Sequence, residues 1–251
     1  MDFGPDSGAC LCISTRRGGC SFDRDDLNLS IGTGDENSNV YENRKRIYSA
    51  LNIPDPGPAG VRQIHSAEVL LVDGSNWHQF TGREFKGDGM VTALTNHWLS
   101  ISVGDCLAIA IYDPVQKVFS MQHAGWEGTA KRIVENAVHK MREAFGSQPG
   151  DLWVVIGPGI GFSSYEVDRR VFDEFSGRWD NWQDFVHDNK GDHGYIDLAA
   201  ANRWLLEDAG VPASQINSYN LCTHTLPALF FSHRRDGLPG GRMFAFGCMK
   251  E

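Results

Sequence analysis

The 251-residue sequence has no apolar run approaching the ~20 residues that span a bilayer, so no transmembrane helix is expected. Its opening residues, MDFGPDSGACLC, lack a basic start followed by an apolar stretch, the pattern of a secretory signal. It is also short of positive charge. With 32 acidic and 23 basic residues the net charge is -9, which argues against broad binding to nucleic acid or anionic membrane. A local basic site for one phosphate is still compatible with that balance. There is no internal repeat, no low-complexity segment and no credible interdomain linker. PDPGPAG (54–60) is rich in breakers but reads as a surface loop. The cysteines, Cys10, Cys12, Cys20, Cys106, Cys222 and Cys248, include no CxxC pair. Without an export signal they are expected as reduced thiols in a cytoplasmic protein.

Apolar residues make up 41% and charged residues 22%, the balance of a soluble globular chain large enough for a sizeable core. Strand and helix patterns alternate. VYENRKRIYSALN (40–52) places Val40, Ile47 and Leu51 near one helical face, and AEVLLV (67–72) reads as a strand. LSISVGDCLAIAIYD (99–113) reads as one long apolar strand ending at Asp113-Pro114, with KVFSMQH (117–123) returning beside it as a hairpin. Residues 128–145 carry the clearest helical periodicity, from Ala130 through Ile133, Val134, Ala137, Val138 and Met141 to Phe145. A strand (152–157) and helices near 167–175 and 198–209 follow, the last ended by Gly210. LFFSHRR and RMFAFGCM are read as strands flanking a turn at Asp236-Gly237. The expected fold is a mixed α/β sandwich in one domain over 1–251.

The hairpin brings Cys106 and His123 close to opposite one another, and His65 precedes another strand. Two imidazoles and a thiolate form a three-ligand zinc set with the fourth position open to water or substrate. On spacing alone a buried apolar cysteine and a hydrogen-bonded strand-end histidine describe the same residues. Cys10-Leu11-Cys12 looks like a metal half-site without a second half and fits an N-terminal strand. IGPGIG (156–161) lacks the strand–GxGxxG–helix context of a dinucleotide site and reads as a tight turn. SHRR (232–235) offers Arg234 or Arg235 for bidentate phosphate contact, or forms a solvated charge cluster.

Several stretches in order resemble one family, the YfiH-like or laccase-domain proteins: STRRGGCS (14–21), DLNLS (26–30), ENR (42–44), RQIHSAEV (62–69), DGMVT (88–92), GDC (104–106), HAGWEGT (123–129), IGPGIG (156–161), YEV (165–167) and CT…FFSHRRDG…GRM (222–243). The resemblance spans nearly the whole chain. It implies a single-domain α/β/β/α fold with zinc on His65, Cys106 and His123. The implied activity is phosphorolysis of purine nucleosides (adenosine, inosine, guanosine and methylthioadenosine), with adenosine deaminase activity beside it. A purine nucleoside and phosphate are then the partners. Arg16, Arg62, Gln63, Arg234 and Arg235 are the candidate substrate or phosphate contacts, and Asp105 or Glu127 the candidate proton shuttle.

The family also carries an older polyphenol oxidase label, with copper as an alternative metal because Cu²⁺ outranks zinc in affinity. Oxidases with several coppers need many histidines, often as His-x-His pairs. This chain has nine histidines, and no two are separated by a single residue. The chain departs from the family pattern at Glu127, where HAGWRGT is usual, and at Gly104, where ADC is usual. Glu127 either replaces a phosphate-holding arginine or pairs with Lys131 one helical turn on. Two rival functions remain: a hydrolase or deamidase with Cys106 as nucleophile and His123 as base, and a non-catalytic nucleoside-binding protein.

Overall fold

In chain order the strands are β1 (Ala9–Ile13), β2 (Arg17–Ser21), β3 (Val69–Val72), β4 (Gly89–Thr92), β5 (Leu99–Val103), β6 (Leu107–Asp113), β7 (Val118–Ala124), β8 (Trp153–Ile156), β9 (Glu166–Asp168), β10 (Val186–Lys190), β11 (His193–Ile196), β12 (Ile216–Ser218) and β13 (Met243–Met249). The helices are α1 (Asn37–Leu51), α2 (Trp77–Thr81), α3 (Trp126–Ala130), α4 (Ile133–Phe145), α5 (Arg169–Ser176), α6 (Leu198–Asp208) and α7 (His233–Asp236). The structure, a computed structural model, describes residue 3, residues 8–22 and residues 24–250, without the side chains of residues 188–190.

Every residue of β6, β7 and β13 is buried, so these strands must be covered on both faces. The two-residue side-chain period then sorts their residues into separate cores. From β6, Leu107, Ile109 and Ile111 face Ala137, Val138 and Met141 of α4 and Leu205 of α6, while Ala108, Ala110 and Tyr112 face the opposite way. On that side they meet Met243, Ala245 and Met249 of β13. The alternate residues of β13, Phe244 and Phe246, turn outward under Ile47, Tyr48 and Leu51 of α1. Each fully buried Leu, Ile or Phe contributes about 1.5–3 kcal/mol, and a one-residue slip of β13 would exchange its two apolar sets.

The result is four layers, α/β/β/α: helices, a six-stranded sheet of order β12-β8-β6-β7-β4-β3, a three-stranded sheet of order β1-β13-β5, and α1. A further sheet, β10-β11-β9, contributes Val167, Val186 and Ile196 to the core shared with α4 and α6. Among the described residues no helix is long and apolar enough to cross a membrane.

Three expected elements are corrected. The strand read over 99–113 is two strands in different sheets: β5 pairs with β13, whereas β6 pairs with β7 and β8. The chain changes sheets at Gly104-Asp105-Cys106, where Asp105 takes φ 101°. Its carboxylate, which accepts the Thr223 hydroxyl at 2.6 Å and the Arg234 N–H at 2.7 Å, fixes that bend. Cys106 therefore sits in the crossover rather than inside a strand.

The helix read over 128–145 is broken into α3 and α4 by Arg132 at φ 64°. Its guanidinium bonds Glu135 and Asp208 and lies over the rings of Trp179 and Trp204, contacts that override local helix propensity. LFFSHRR is not a strand. Ser232 caps α7 by accepting the Arg235 N–H at 3.1 Å, which converts SHRRD into a helical turn.

Candidate metal centre and cleft

His123 ends the β7 side of the β6–β7 hairpin, opposite Ala108. Cys106 lies two residues before Ala108 and returns to the same end of the hairpin. His65 arrives from the loop before β3, which pairs in parallel with β4, itself paired to β7. One nitrogen from each histidine and the Cys106 sulfur all lie within 4.8 Å of one another, the single such cluster among the described residues. The two imidazoles meet edge to face with centroids 5.0 Å apart. Burial grades from the exposed His65 through the half-buried Cys106 to the buried His123, so the cluster has a protein side and an open side.

Asp88 organises the protein side. It is fully buried at the start of β4, and its carboxylate accepts five hydrogen bonds. Three come from the consecutive N–H groups of Ile64, His65 and Ser66 at 3.1, 3.0 and 2.7 Å, and one from the Ser66 hydroxyl at 2.8 Å. The fifth comes from His123 Nδ1 at 2.9 Å. The three backbone groups converge as in an anion-binding nest. They hold His65 at φ 57°, a left-handed conformation that is uncommon for histidine. The Nδ1–H bond to Asp88 turns His123 Nε2 toward the cluster, where its lone pair becomes available once the ring gives up its second proton to a bound metal. Asp88 stays well below the usual carboxylate range, at about 2, because these hydrogen bonds outweigh its burial.

Burial pushes the Cys106 thiol up, but His123 and His65 bring it down to about 6. Burial opposes the charge on His123, yet the Cys106 thiolate and Asp88 carry it up to about 9. A thiolate is therefore available at neutral pH. Room for an ion is set by Gly125: a Cβ there would stand 2.8 Å from Cys106 Sγ. A thiolate, two imidazoles with one tautomer fixed, and one open side fit a single zinc-like ion. Gly125→Ala is expected to displace the sulfur and weaken zinc binding roughly tenfold or more, leaving the melting temperature close to wild type. Chelator competition beside thermal melting measures both; unchanged affinity would count against Cys106 as a ligand.

The centre opens onto a cleft of about 1170 Å³. Arg62, Gln63 and Arg242 line it near the cluster, and Arg44, Lys45 and Arg83 line it further out. Gln63 bonds both backbone groups of Ser102 at 2.8 Å, so its amide fixes β5. The other residues singled out from the sequence are placed elsewhere. Arg16 forms a two-point pair with Asp26, at 3.1 and 2.7 Å, beneath which lies Phe231. Arg235 pairs with Asp236 and donates to the carbonyls of Thr223, His224 and Phe230. Arg234 lies over the Tyr165 ring and donates to Glu166 O, lining a smaller pocket. Asp105 has both oxygens engaged as described above. Glu127 pairs with Lys131 at 3.2 Å and approaches Arg170 at 3.7 Å, also beside the smaller pocket's Trp126.

Asp88, Arg44, Arg83 and Arg242 carry much of the site and had no assigned role in the sequence. DGMVT, ENR and GRM contain three of them, but only the tertiary pairing gives those motifs a function.

Comparison with known proteins agrees with this architecture. The family model described as multi-copper polyphenol oxidoreductase laccase matches residues 10–250. The chain is 33% identical over 244 residues to the purine nucleoside phosphorylase YlmD of Bacillus subtilis, covering 95% of this chain and 88% of that protein. It is 30% identical over 240 residues to the purine nucleoside phosphorylase YfiH of Escherichia coli K12, covering 95% and 93%. Among solved structures, YlmD from Geobacillus stearothermophilus superimposes with a TM-score of 0.90 at 33% identity, covering 97% of this chain and 93% of that one.

Proposed function

The chain belongs to the family described as multi-copper polyphenol oxidoreductase laccase, and within it we propose a zinc-dependent purine nucleoside phosphorylase that also deaminates adenosine. The observation that carries this reading is the joining of a His65–Cys106–His123 donor set to a cleft whose nearest cations, Arg62 and Arg242, have no carboxylate partner among the described residues. The names of the relatives support it.

In phosphorolysis the bond from ribose C1′ to the purine nitrogen breaks while a phosphate oxygen bonds to C1′. Departure of the base leaves cationic character on the ribose, so the protein must hold the phosphate in line and exclude competing water. Arg62 and Arg242 are suited to the phosphate because guanidinium N–H pairs match its oxygens. Arg242 lies against Gly104 in the crossover that carries Cys106. It also lies 3.0 Å from Nδ1 of His233. Neutral His233 accepting there carries its proton on Nε2, a donor for the substrate. His65, Cys106 and His123 would hold the zinc, which supplies Lewis acidity at the reacting group. Asp88 keeps His65 and His123 aimed.

A several-copper oxidase has no matching donor inventory among the described residues, where the three-residue cluster stands alone. Metal analysis of the purified protein should find about one zinc per chain. A purine nucleoside panel should give free base only when phosphate is present, and inosine from adenosine without it. A metal-replete protein that turns over no nucleoside with phosphate at high enzyme concentration would sink the reading.

A further inference from the structure

The geometry points to a second anion subsite in the cleft, built by Arg44 and Arg83 around Phe244, that takes the 5′-phosphate of a purine nucleoside monophosphate. This rests on the phosphorylase reading and narrows its substrate class.

The cleft is electrostatically unlike the rest of the chain. A protein of net charge -9 lines it with Arg44, Lys45, Arg62, Arg83 and Arg242 against one carboxylate, Asp55. Elsewhere several guanidinium groups sit on carboxylates, among them Arg16 on Asp26 at 2.7 Å, Arg132 on Asp208 at 2.8 Å and Arg235 on Asp236 at 2.7 Å. None of the five cleft cations has a carboxylate within 4.0 Å among the described residues. Like charges gathered around a partly desolvated cavity repel unless an anion joins them.

These cations form two groups. Arg242 precedes β13 and stands at the end where that strand meets Val103, next to the crossover with Cys106. Phe244 lies two residues further along, about 7 Å away at strand rise. Its ring takes the Arg44 guanidinium at 5.5 Å and the Arg83 guanidinium at 5.1 Å.

The outer pair also keeps donors to spare. Arg44 uses only Nε, on Leu29 O at 2.9 Å, leaving both terminal amino groups without a protein partner among the described residues. Arg83 donates to Val61 O at 3.3 Å and to the Ser100 hydroxyl at 2.7 Å, which anchors it while its Nε stays unused. Burial and the neighbouring Arg44 bring Arg83 down to about 10, in keeping with two cations awaiting a counter-charge.

Inorganic phosphate must reach C1′ beside the metal centre, where Arg62 and Arg242 serve it. The Arg44–Arg83 pair on Phe244 is offset along β13 from Arg242, and there we place the 5′-phosphomonoester of a nucleotide whose C1′ lies at the centre. The cleft volume of about 1170 Å³ exceeds the ~300–1,000 Å³ of ordinary small-molecule sites, so a nucleotide and a phosphate fit together. The reaction stays balanced: the C1′–N bond breaks, a C1′–O bond to phosphate forms and the 5′-ester is untouched. Purine and ribose 1,5-bisphosphate are the products.

Equilibrium binding to the zinc-loaded protein without inorganic phosphate tests this, with inosine and inosine 5′-monophosphate as probes. The monophosphate is expected to bind at least about tenfold tighter, the value of one good charge-assisted contact. Arg44→Gln, checked for folding by thermal melting, should erase that preference, and Arg44→Lys should restore part of it. With phosphate added, mass spectrometry should detect ribose 1,5-bisphosphate. Equal affinity of wild type for the two probes, or a preference that survives in Arg44→Gln, overturns the inference while leaving the phosphorylase reading intact. Failure of both probes to bind removes the phosphorylase reading first.

Discussion

Asp88→Asn is expected to weaken zinc binding by roughly 10- to 100-fold, although Asp88 touches no metal. The carboxylate accepts donors on both oxygens, two on Oδ1 and three on Oδ2. An asparagine keeps one acceptor and turns an NH₂ group toward N–H donors at the other position. If the amide oxygen stays on Ile64 and Ser66, the bond that fixes the His123 tautomer is lost. If it stays on His123, the nest that holds His65 in its left-handed conformation is left facing a donor. Each stranded buried N–H costs about 1–3 kcal/mol, so a loss of stability of a few kcal/mol should accompany the loss of metal. Competition with a chromophoric chelator gives the affinity, and urea unfolding of zinc-free protein gives the stability. Wild-type zinc affinity in a destabilised Asp88→Asn protein would show the carboxylate to be structural only.

That dependence explains why the layers were readable from sequence and the centre only half so. The β6–β7 hairpin is a continuous apolar run turned at Asp113-Pro114, and the apolar face of α4 repeats at the helical period, so local pattern found both. The break at Gly104-Asp105-Cys106 was hidden because apolar residues continue on both sides, and only β13 reveals that the first half belongs to another sheet. His65, Cys106 and His123 were marked by chemistry plus family resemblance. Asp88 meets them through contacts 23 and 35 residues apart in sequence, which no local pattern encodes.

Basic residues misled for a related reason. Arg16 and Arg235 stand in dense basic motifs, but Asp26 ten residues on and the adjacent Asp236 neutralise them. The cleft cations are scattered from position 44 to position 242, and the fold alone gathers them.

Cys106→Ala is expected to abolish zinc retention and phosphorolysis together, exceeding the ~100-fold upper range for loss of a supporting hydrogen bond. Loss of activity alone would not decide the chemistry. Cys106, His123 and Asp88 also form the thiol–imidazole–carboxylate order of a nucleophilic triad. The same lowering of the thiol to about 6 serves a ligand and a nucleophile alike.

His65 separates the two. A triad has no use for a second imidazole on the sulfur, whereas a zinc site needs it as the third donor. His65→Ala should therefore lose zinc and phosphorolysis as Cys106→Ala does. Thiol alkylation supplies the independent readout. In the purified zinc protein Cys106 should react slowly, and chelation should accelerate it, with a rate in the metal-free protein that climbs with pH to half its maximum near 6. Rapid alkylation without chelator, unchanged in His65→Ala, would make Cys106 a nucleophile and end the zinc assignment.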